Sequence, residues 1–187
     1  VVLLRYNGKN AKGMSLLKET ALIIGNLCSL LAMITDSVSA TRKTAKGVLW
    51  VQTLSQLIYG FGAFVLGGYS AAVQNAVSLA RNLAAIHNIK SKTLEWILIA
   101  AGVVLGVIFN NRGWIGLLPV IGNLQYTLAI FRLQNHERLL KISFLISVAS
   151  FTVLNIVLYN VVGVIADLTV IVTTVIYLVK GKPESSK

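Results

Sequence analysis

The sequence predicts an all-α integral membrane protein with seven transmembrane helices, arranged as two parallel three-helix units joined by a further helix. Apolar residues make up 56% of the chain, charged residues only 12%, and the mean hydropathy is +0.76, which is unusual for a soluble domain. Nearly uncharged stretches, such as residues 93–110 and 153–179, are long enough to cross a bilayer as helices. The motif Ile-Gly-Asn-Leu also occurs twice, in IIGNLCSLLA from Ile23 and in VIGNLQYTLA from Val120.

Apolar runs separated by polar segments predict the seven helices in order. Their predicted ranges are residues 19–37, 46–66, 69–88, 93–110, 114–132, 139–158 and 161–180. The joints between them are TRKTAKG, GGYS, HNIKSK, NNRG, QNHERLLK and YN, which carry the Gly, Asn and charge expected where a chain turns at a membrane surface. The last joint depends on Tyr159-Asn160, because the run from Ile142 to Val179 is nearly twice one membrane span and must fold back.

The basic residues indicate how the chain is oriented. The 17 Lys and Arg exceed the 6 Asp and Glu, for a net charge of +11, but they lie mainly in short loops, so nucleic acid is not an expected partner. Most of them lie on the side of the carboxyl terminus, which the positive-inside rule places in the cytoplasm, with the amino terminus outside. The asymmetry is cleaner without residues 1–13, which precede Met14 and are interpreted either as a leader upstream of the true start or as a basic surface arm.

The repeated motif predicts an internal duplication. In both halves the helix that carries it is followed by a basic loop, a helix, a nearly uncharged tight turn and another helix. Three helices are an odd number, so the two basic loops share a side of the membrane only if an extra crossing separates the units. The predicted boundaries are residues 14–92 for the first unit, 93–112 for the inverting linker, 113–181 for the second unit and 182–187 for a cytoplasmic tail.

Three segments carry a resemblance to a known family: LGGYSAAVQNAVSLAR from Leu66, LLPVIGNLQYTLAIFR from Leu117, and NIVLYNVVGVIAD, which ends at Asp167. They resemble the YgjV family of bacterial inner-membrane proteins, over most of the chain from about Leu16 to Lys180. The 3+1+3 plan also resembles the SWEET, SemiSWEET and PQ-loop transporter superfamily, which implies a SWEET-like fold. The chain departs from that superfamily in having no Pro-Gln pair and no mid-helix proline in the first helix of either unit, which argues against proline-hinged gating.

Polar residues inside the predicted spans are the candidate functional residues, because such groups are costly in lipid and face a bundle interior or an aqueous cavity. Asp167 is interpreted either as a cavity group that binds a polar solute or exchanges a proton, or as the buried partner of Arg81 or of another buried donor. Asn75 lies at a similar position in the third predicted helix and would face Asp167 across the pseudo-twofold axis. In SWEET transporters an Asn pair on these helices contributes to the substrate pocket. The resemblance therefore implies substrate binding by Asn75 and by Asp167, where this chain has an acid instead of the second asparagine.

Other polar and aromatic positions extend this predicted site. Tyr59 and Phe151 lie 16 residues before Asn75 and Asp167, and an aromatic pair beside a polar pair suits a sugar-like or heterocyclic ligand; ordinary packing is the alternative for each. Asn155 shares the helical face of Phe151. Gln56 belongs to a polar strip that either lines water or bonds a neighbouring helix.

Arg81, Asn26 and Asn123 are predicted to have structural roles. Arg81 either extends to the lipid headgroups or forms an ion pair with Asp167. Asn26 and Asn123 each follow a glycine of the repeated motif, which would permit close helix contact with the asparagine as polar glue across the pseudo-axis.

No hydrolase, ATPase or paired-cysteine motif occurs, so an enzyme is not expected. Two acids, Asp36 and Asp167, would suit an intramembrane aspartyl protease, but Asp36 is predicted to lie too near the surface to pair with a mid-helix acid. His87, His136 and the single Cys28 lack ligand spacing, so neither a metal nor a cofactor is expected.

Two functions remain open. One is a transporter or facilitator that moves a small polar solute, sugar-like or another metabolite, by alternating access, through facilitated diffusion or proton coupling at Asp167. The other is a non-transporting scaffold or accessory subunit that binds another membrane protein or lipid. A hydrated cavity touching Asn75, Asp167, Tyr59 and Asn155 would favour the first.

Overall fold

The computed structural model describes residues 2–40, 45–87, 89, 91–132 and 137–180. Within these residues the chain forms seven α-helices and no β-strand, which confirms the predicted number and type of elements. The helices are Val2–Ala40 (α1), Ala45–Val65 (α2), Tyr69–Ile86 (α3), Lys92–Ile108 (α4), Gly113–Arg132 (α5), Glu137–Val157 (α6) and Val161–Lys180 (α7).

The first helix differs most from its prediction, because α1 begins at Val2 rather than near residue 19. Residues 2–18 contain no proline, and each residue added to an existing helix gains a backbone hydrogen bond, so the helix propagates towards the amino terminus. The 39 residues of α1 make it about 58 Å long. It is therefore longer than one hydrocarbon core.

The helices have the length and surface of a membrane protein. Within the described ranges, three segments are long and apolar enough to cross a bilayer: Gly13–Val38 in α1, Gly113–Ile130 in α5 and Arg138–Val157 in α6. A shorter apolar segment, Val161–Ile176, lies in α7. Large apolar side chains are exposed on the outer helix faces, among them Leu17, Phe64, Trp114 and Val179. Apolar surface of this extent is expected to face lipid rather than water.

The principal helix contacts form a closed ring of six helices. Along the ring, α1 packs against α2 and α7, α3 against α2 and α5, and α6 against α5 and α7. The remaining helix, α4, packs against α3 and α5. The six helices therefore surround a central space. The helix α4 packs against the junction between α3 and α5.

Two glycines allow α4 to approach this junction closely. Gly102 and Gly106 are buried and lie on one face of α4, the spacing known from close helix pairs in membranes. The amide nitrogen of Gln74 in α3 donates to the carbonyl oxygen of Gly102 at 2.8 Å. A Cβ atom at Gly106 would lie only 2.7 Å from Val120 Cγ2 of α5. The glycines therefore set the distance between α4 and its two neighbours.

The α2–α3 and α6–α7 turns have the same hydrogen-bonding pattern. In the first, the amide of Gly68 donates to Ala63 O at 2.8 Å; in the second, the amide of Asn160 donates to Asn155 O at 3.0 Å. The preceding residues, Gly67 and Tyr159, both have positive φ, 73° and 57°. All three pairs are separated by 92 residues. The turns also meet in space, because a small apolar cluster joins them: Leu66, Ala71, Leu154 and Leu158.

Candidate functional site

A cavity of about 170 Å³ lies at the centre of the helix ring. All six ring helices and the α6–α7 turn contribute to its wall. The volume accommodates on the order of ten water molecules, or a small solute. The wall is rich in hydroxyl, amide and charged side chains, which in a membrane protein are expected to face water or a polar ligand rather than lipid.

The structure brings the predicted substrate-binding residues together around this cavity. The residues predicted for binding that line it are Gln56, Tyr59, Asn75, Phe151, Asn155 and Asp167. Arg81 and Asn123, predicted to have structural roles, line it too. These residues come from five helices and are up to 111 positions apart, from Gln56 to Asp167. Their placement is a finding, and their binding role stays a prediction.

The acidic side chain Asp167 belongs to a chain of hydrogen bonds along one wall. Asn155 donates to Asp167 Oδ2 at 2.9 Å. Asn160 donates to Asn155 Oδ1 at 3.0 Å and to Ser29 Oγ at 2.8 Å. The side-chain oxygen of Asn160 also accepts from the backbone amide of Gly163, as a helix N-cap does. Asn160, at the start of α7, thus orients the Asn155 amide that contacts Asp167.

The basic side chain Arg81 lies against α5. Its guanidinium donates to Thr127 Oγ1 at 3.1 Å and lies 5.4 Å from the centroid of the Tyr126 ring, within cation–π range. Tyr126 in turn contacts Phe144 of α6, with ring centroids 5.4 Å apart. Among the described side chains, Arg81 has these neighbours rather than an ion pair with Asp167. The two charges therefore line one cavity without neutralising each other.

The two asparagines of the repeated motif each bond across a ring junction. Asn123 of α5 donates to Gln74 Oε1 of α3 at 2.9 Å and accepts from Ser78 at 3.3 Å. Asn26 of α1 accepts from the amide of Val162, at the start of α7, at 3.0 Å. The α3–α5 and α1–α7 junctions are thus each bridged by an asparagine at the same place in the motif. Asn123 lines the cavity, whereas Asn26 contacts the α6–α7 turn outside the cavity wall.

Much of the cavity wall consists of residue pairs with one constant separation in the sequence. Five pairs of lining residues are each 92 residues apart: Gln56 and Val148, Tyr59 and Phe151, Ala63 and Asn155, Asn75 and Asp167, and Ser78 and Val170. Ser29 and Tyr126 are 97 residues apart, the separation of the repeated motif. Both series draw one residue from each half of the chain. These pairs join positions that the predicted duplication would make equivalent in α1–α3 and α5–α7.

Several lining residues were missed by sequence reasoning. Asp36 was predicted to lie near the surface, yet it lines the cavity and accepts a hydrogen bond from Ser55 of α2. Asn160 was interpreted only as a turn residue. Ser29 and Tyr126 follow Asn26 and Asn123 by three positions, so extension of the repeated motif would have found them. No comparable signal in the sequence identified Asp36, because its place depends on how α1 packs against α2.

A cluster of metal ligands was not predicted. Within the described ranges, no group of three or more His, Cys, Asp or Glu side chains is placed to hold a metal ion. The cavity wall presents amides, hydroxyls, aromatic rings and three charged side chains.

Comparison with protein families identifies the chain. The family model described as Imp-YgjV, bacterial inner membrane protein, matches residues 23–184. The chain belongs to the Imp-YgjV family. This membership confirms the resemblance predicted from the sequence, and the matched range contains every residue of the cavity wall. No curated protein and no solved structure matches the chain.

Proposed function

We propose that this inner-membrane protein is a transporter or facilitator for a small polar solute and works by alternating access. The observation that carries the proposal is the polar cavity enclosed by the six ring helices. A site of this kind, between two helix units near the middle of the bundle, is the arrangement by which many secondary transporters bind their substrates. Bacterial inner-membrane location follows from family membership. Catalysis is not part of the proposal.

The proposal includes a 3+1+3 plan of the SWEET type, with α1–α3 and α5–α7 as parallel units and α4 as the inverting linker. Three observations support it: the matching α2–α3 and α6–α7 turns, the constant separation of the paired lining residues, and the ring contacts. A pseudo-twofold axis that exchanges the units would exchange the α1–α7 contact with the α3–α5 contact, and both occur.

Alternating access would open and close the two junctions between the units. Each junction is bridged by few side-chain hydrogen bonds, such as those from Asn123 to Gln74 and from the Val162 amide to Asn26. Hydrogen bonds between transmembrane helices contribute only about 0.6 kcal/mol on average. Bonds of this strength can break and reform during a transport cycle. Movement by facilitated diffusion or by proton coupling at Asp167 is compatible with this geometry.

The scaffold function is the alternative proposal, in which the bundle binds lipid or another membrane protein. A scaffold needs no polar cavity, and burying unfilled polar space in a membrane protein is costly. The cavity therefore favours transport over this alternative.

A binding screen followed by a flux assay tests the proposal. Purified protein is screened with small polar solutes by thermal shift, and compounds that bind are then followed into proteoliposomes. We expect Asp167→Asn and Asn75→Ala to reduce both the shift and the flux at least tenfold, because both side chains line the cavity. Thr169→Ala, on the exposed face of α7, is the matched control and should behave as wild type. Binding that is unchanged in the cavity variants, or binding without flux, would contradict transport through this site.

A further inference from the structure

The cavity contains charged groups of both signs that are not neutralised by each other. Arg81 and Asp167 both line it, on α3 and α7. Asp36, the other acid in the wall, is hydrogen-bonded by Ser55 of α2. A charge that leaves water is stabilised only by a counter-charge or by several good hydrogen bonds. The partners of Arg81 and Asp167 therefore indicate what the cavity accepts.

Arg81 has unused hydrogen-bonding capacity. A guanidinium has five N–H donors, and the bond that the structure describes is the one to Thr127 Oγ1. One face of the group is covered by the Tyr126 ring. Among the described side chains no carboxylate lies within ion-pair distance of Arg81. A guanidinium with one covered face and free N–H groups in a cavity is well suited to bind a carboxylate through two parallel hydrogen bonds.

Asp167 has unused capacity to accept hydrogen bonds. An ionised carboxylate offers about four acceptor positions, and the hydrogen bond that the structure describes to Asp167 is the one from Asn155. Asn155 is itself held by Asn160, so the amide that contacts Asp167 is oriented by a fixed neighbour. The remaining acceptor positions are available to a ligand that donates hydrogen bonds, and an ammonium group donates three.

The two charged groups line one cavity from different helices, Arg81 from α3 and Asp167 from α7. Asn75 and Arg81 lie six residues apart on α3, which is about 9 Å along the helix axis. Side chains on a helix point back towards its amino terminus, so the long side chain of Arg81 shortens this gap. Asn75 and Asp167 are paired lining residues in the two halves of the chain. A ligand that contacts both groups therefore bridges α3 and α7 within the cavity.

We propose that the cavity binds a small zwitterion, with its carboxylate on Arg81 and its ammonium group on Asp167. This inference rests on the proposed transport function and specifies the solute class. Asn75 and Tyr59 lie in the same wall and contact the body of the molecule. An uncharged sugar would fill the cavity without supplying a counter-charge to either group, whereas a zwitterion supplies both and adds no net charge.

A panel of two-carbon ligands tests how much the carboxylate and the ammonium group of the ligand each contribute to binding. Glycine carries both groups, glycolate the carboxylate only, ethanolamine the ammonium only, and ethylene glycol neither. We expect glycine to raise the melting temperature of the purified full-length protein most, glycolate and ethanolamine to raise it less, and ethylene glycol to leave it unchanged. Alanine and serine test whether the cavity accepts larger zwitterions, and glycerol and xylose represent neutral polyols and sugars.

Two variants test which residue binds each end of the ligand. Arg81→Gln should weaken glycine and glycolate binding at least tenfold and leave ethanolamine binding unchanged. Asp167→Asn should weaken glycine and ethanolamine binding at least tenfold and leave glycolate binding unchanged. Each shift is measured against the same variant without ligand, so a change in stability does not affect the comparison. If Arg81→Gln does not fold, Arg81→Lys, which keeps the charge but loses the two-bond geometry, should weaken glycolate binding more than ethanolamine binding.

The outcomes distinguish this inference from the proposed function. If glycerol or xylose binds and is transported while no zwitterion binds, the solute class is wrong and the transport function stands. If glycine binds but both variants lose glycolate and ethanolamine equally, the assignment of the two ends is overturned. If no zwitterion, singly charged analogue or neutral compound binds, both proposals fail.

Discussion

Among the described residues, Tyr159 in the α6–α7 turn is the only non-glycine residue with a positive φ. Its φ of 57° is in the left-handed region, where the Cβ atom of an L-residue is crowded. The corresponding position of the other turn is Gly67, with φ 73°, which has no Cβ atom and tolerates this conformation. The two turns therefore have one geometry, but only the first has the residue that suits it.

Replacing Tyr159 by glycine tests this conformation. We expect Tyr159→Gly to be about 1 kcal/mol more stable than Tyr159→Ala, because both variants lose the exposed ring while only glycine relieves the crowding. The measurement is denaturant or thermal unfolding in detergent micelles.

The matched control for this pair is Val172, which lies in the interior of α7 and is exposed. There the order should reverse, with Val172→Ala more stable than Val172→Gly by about 1 kcal/mol, because glycine is a poor helix former. If alanine is the better substitution at both positions, Tyr159 does not have the left-handed conformation.

The helix α4 packs closely against both α3 and α5. Gly102 and Gly106 lie on the face that contacts α3 and α5, and Gln74 of α3 bonds the carbonyl of Gly102. Gln74 also accepts from Asn123 of α5. One buried amide therefore connects three helices, and the position of α4 affects the cavity wall through Asn123.

Substitution of the two glycines should have unequal effects. A Cβ atom at Gly106 would lie 2.5 Å from Gln74 Nε2 and 2.7 Å from Val120 Cγ2, whereas one at Gly102 meets its nearest atom at 3.4 Å. We expect Gly106→Ala to destabilise the protein by about 1–3 kcal/mol through overpacking. Gly102→Ala is the matched control and should be neutral or slightly stabilising, since alanine favours the helix. Equal melting temperatures for the two variants would contradict the close packing at Gly106.

On the scale of the whole molecule, the helix ring and the basic loops predict one orientation in the membrane. The proposed plan places the α2–α3 and α6–α7 turns on the outer side, and the ends of α3 and α7 on the cytoplasmic side, where the basic loops lie. Tyr159 lies in the α6–α7 turn and is 74% exposed. His87 follows the end of α3 and is also exposed. These two residues report on opposite faces.

Cysteine labelling in intact cells tests the orientation. In a Cys28→Ala background, we expect Tyr159→Cys to react with a membrane-impermeant maleimide and His87→Cys to react only after the inner membrane is permeabilised. The background without added cysteine is the control for non-specific labelling. Labelling of His87→Cys but not Tyr159→Cys in intact cells would reverse the proposed orientation.

The sequence allowed much of the fold and part of the site to be predicted. Hydropathy and turn residues located all seven helices, because a membrane span requires a long apolar run and a joint requires residues that tolerate water and tight turns. The sequence paired Asn75 with Asp167 because they have similar positions in their predicted helices, and Tyr59 with Phe151 because each lies 16 residues before one of them. All four residues line the cavity. Family membership was also predicted from three conspicuous segments.

The tertiary structure alone decided which polar groups face each other. By itself the sequence determined the helices, their apolar faces and the candidate pairs, since these depend on local composition and periodicity. Packing decided that Asp36 lines the cavity, that Arg81 lies on Tyr126 and Thr127 rather than on Asp167, and that Gln74 connects α3 to α4 and α5. The physical reason is that these contacts depend on the rotation and depth of each helix against its neighbours, which hydropathy does not specify.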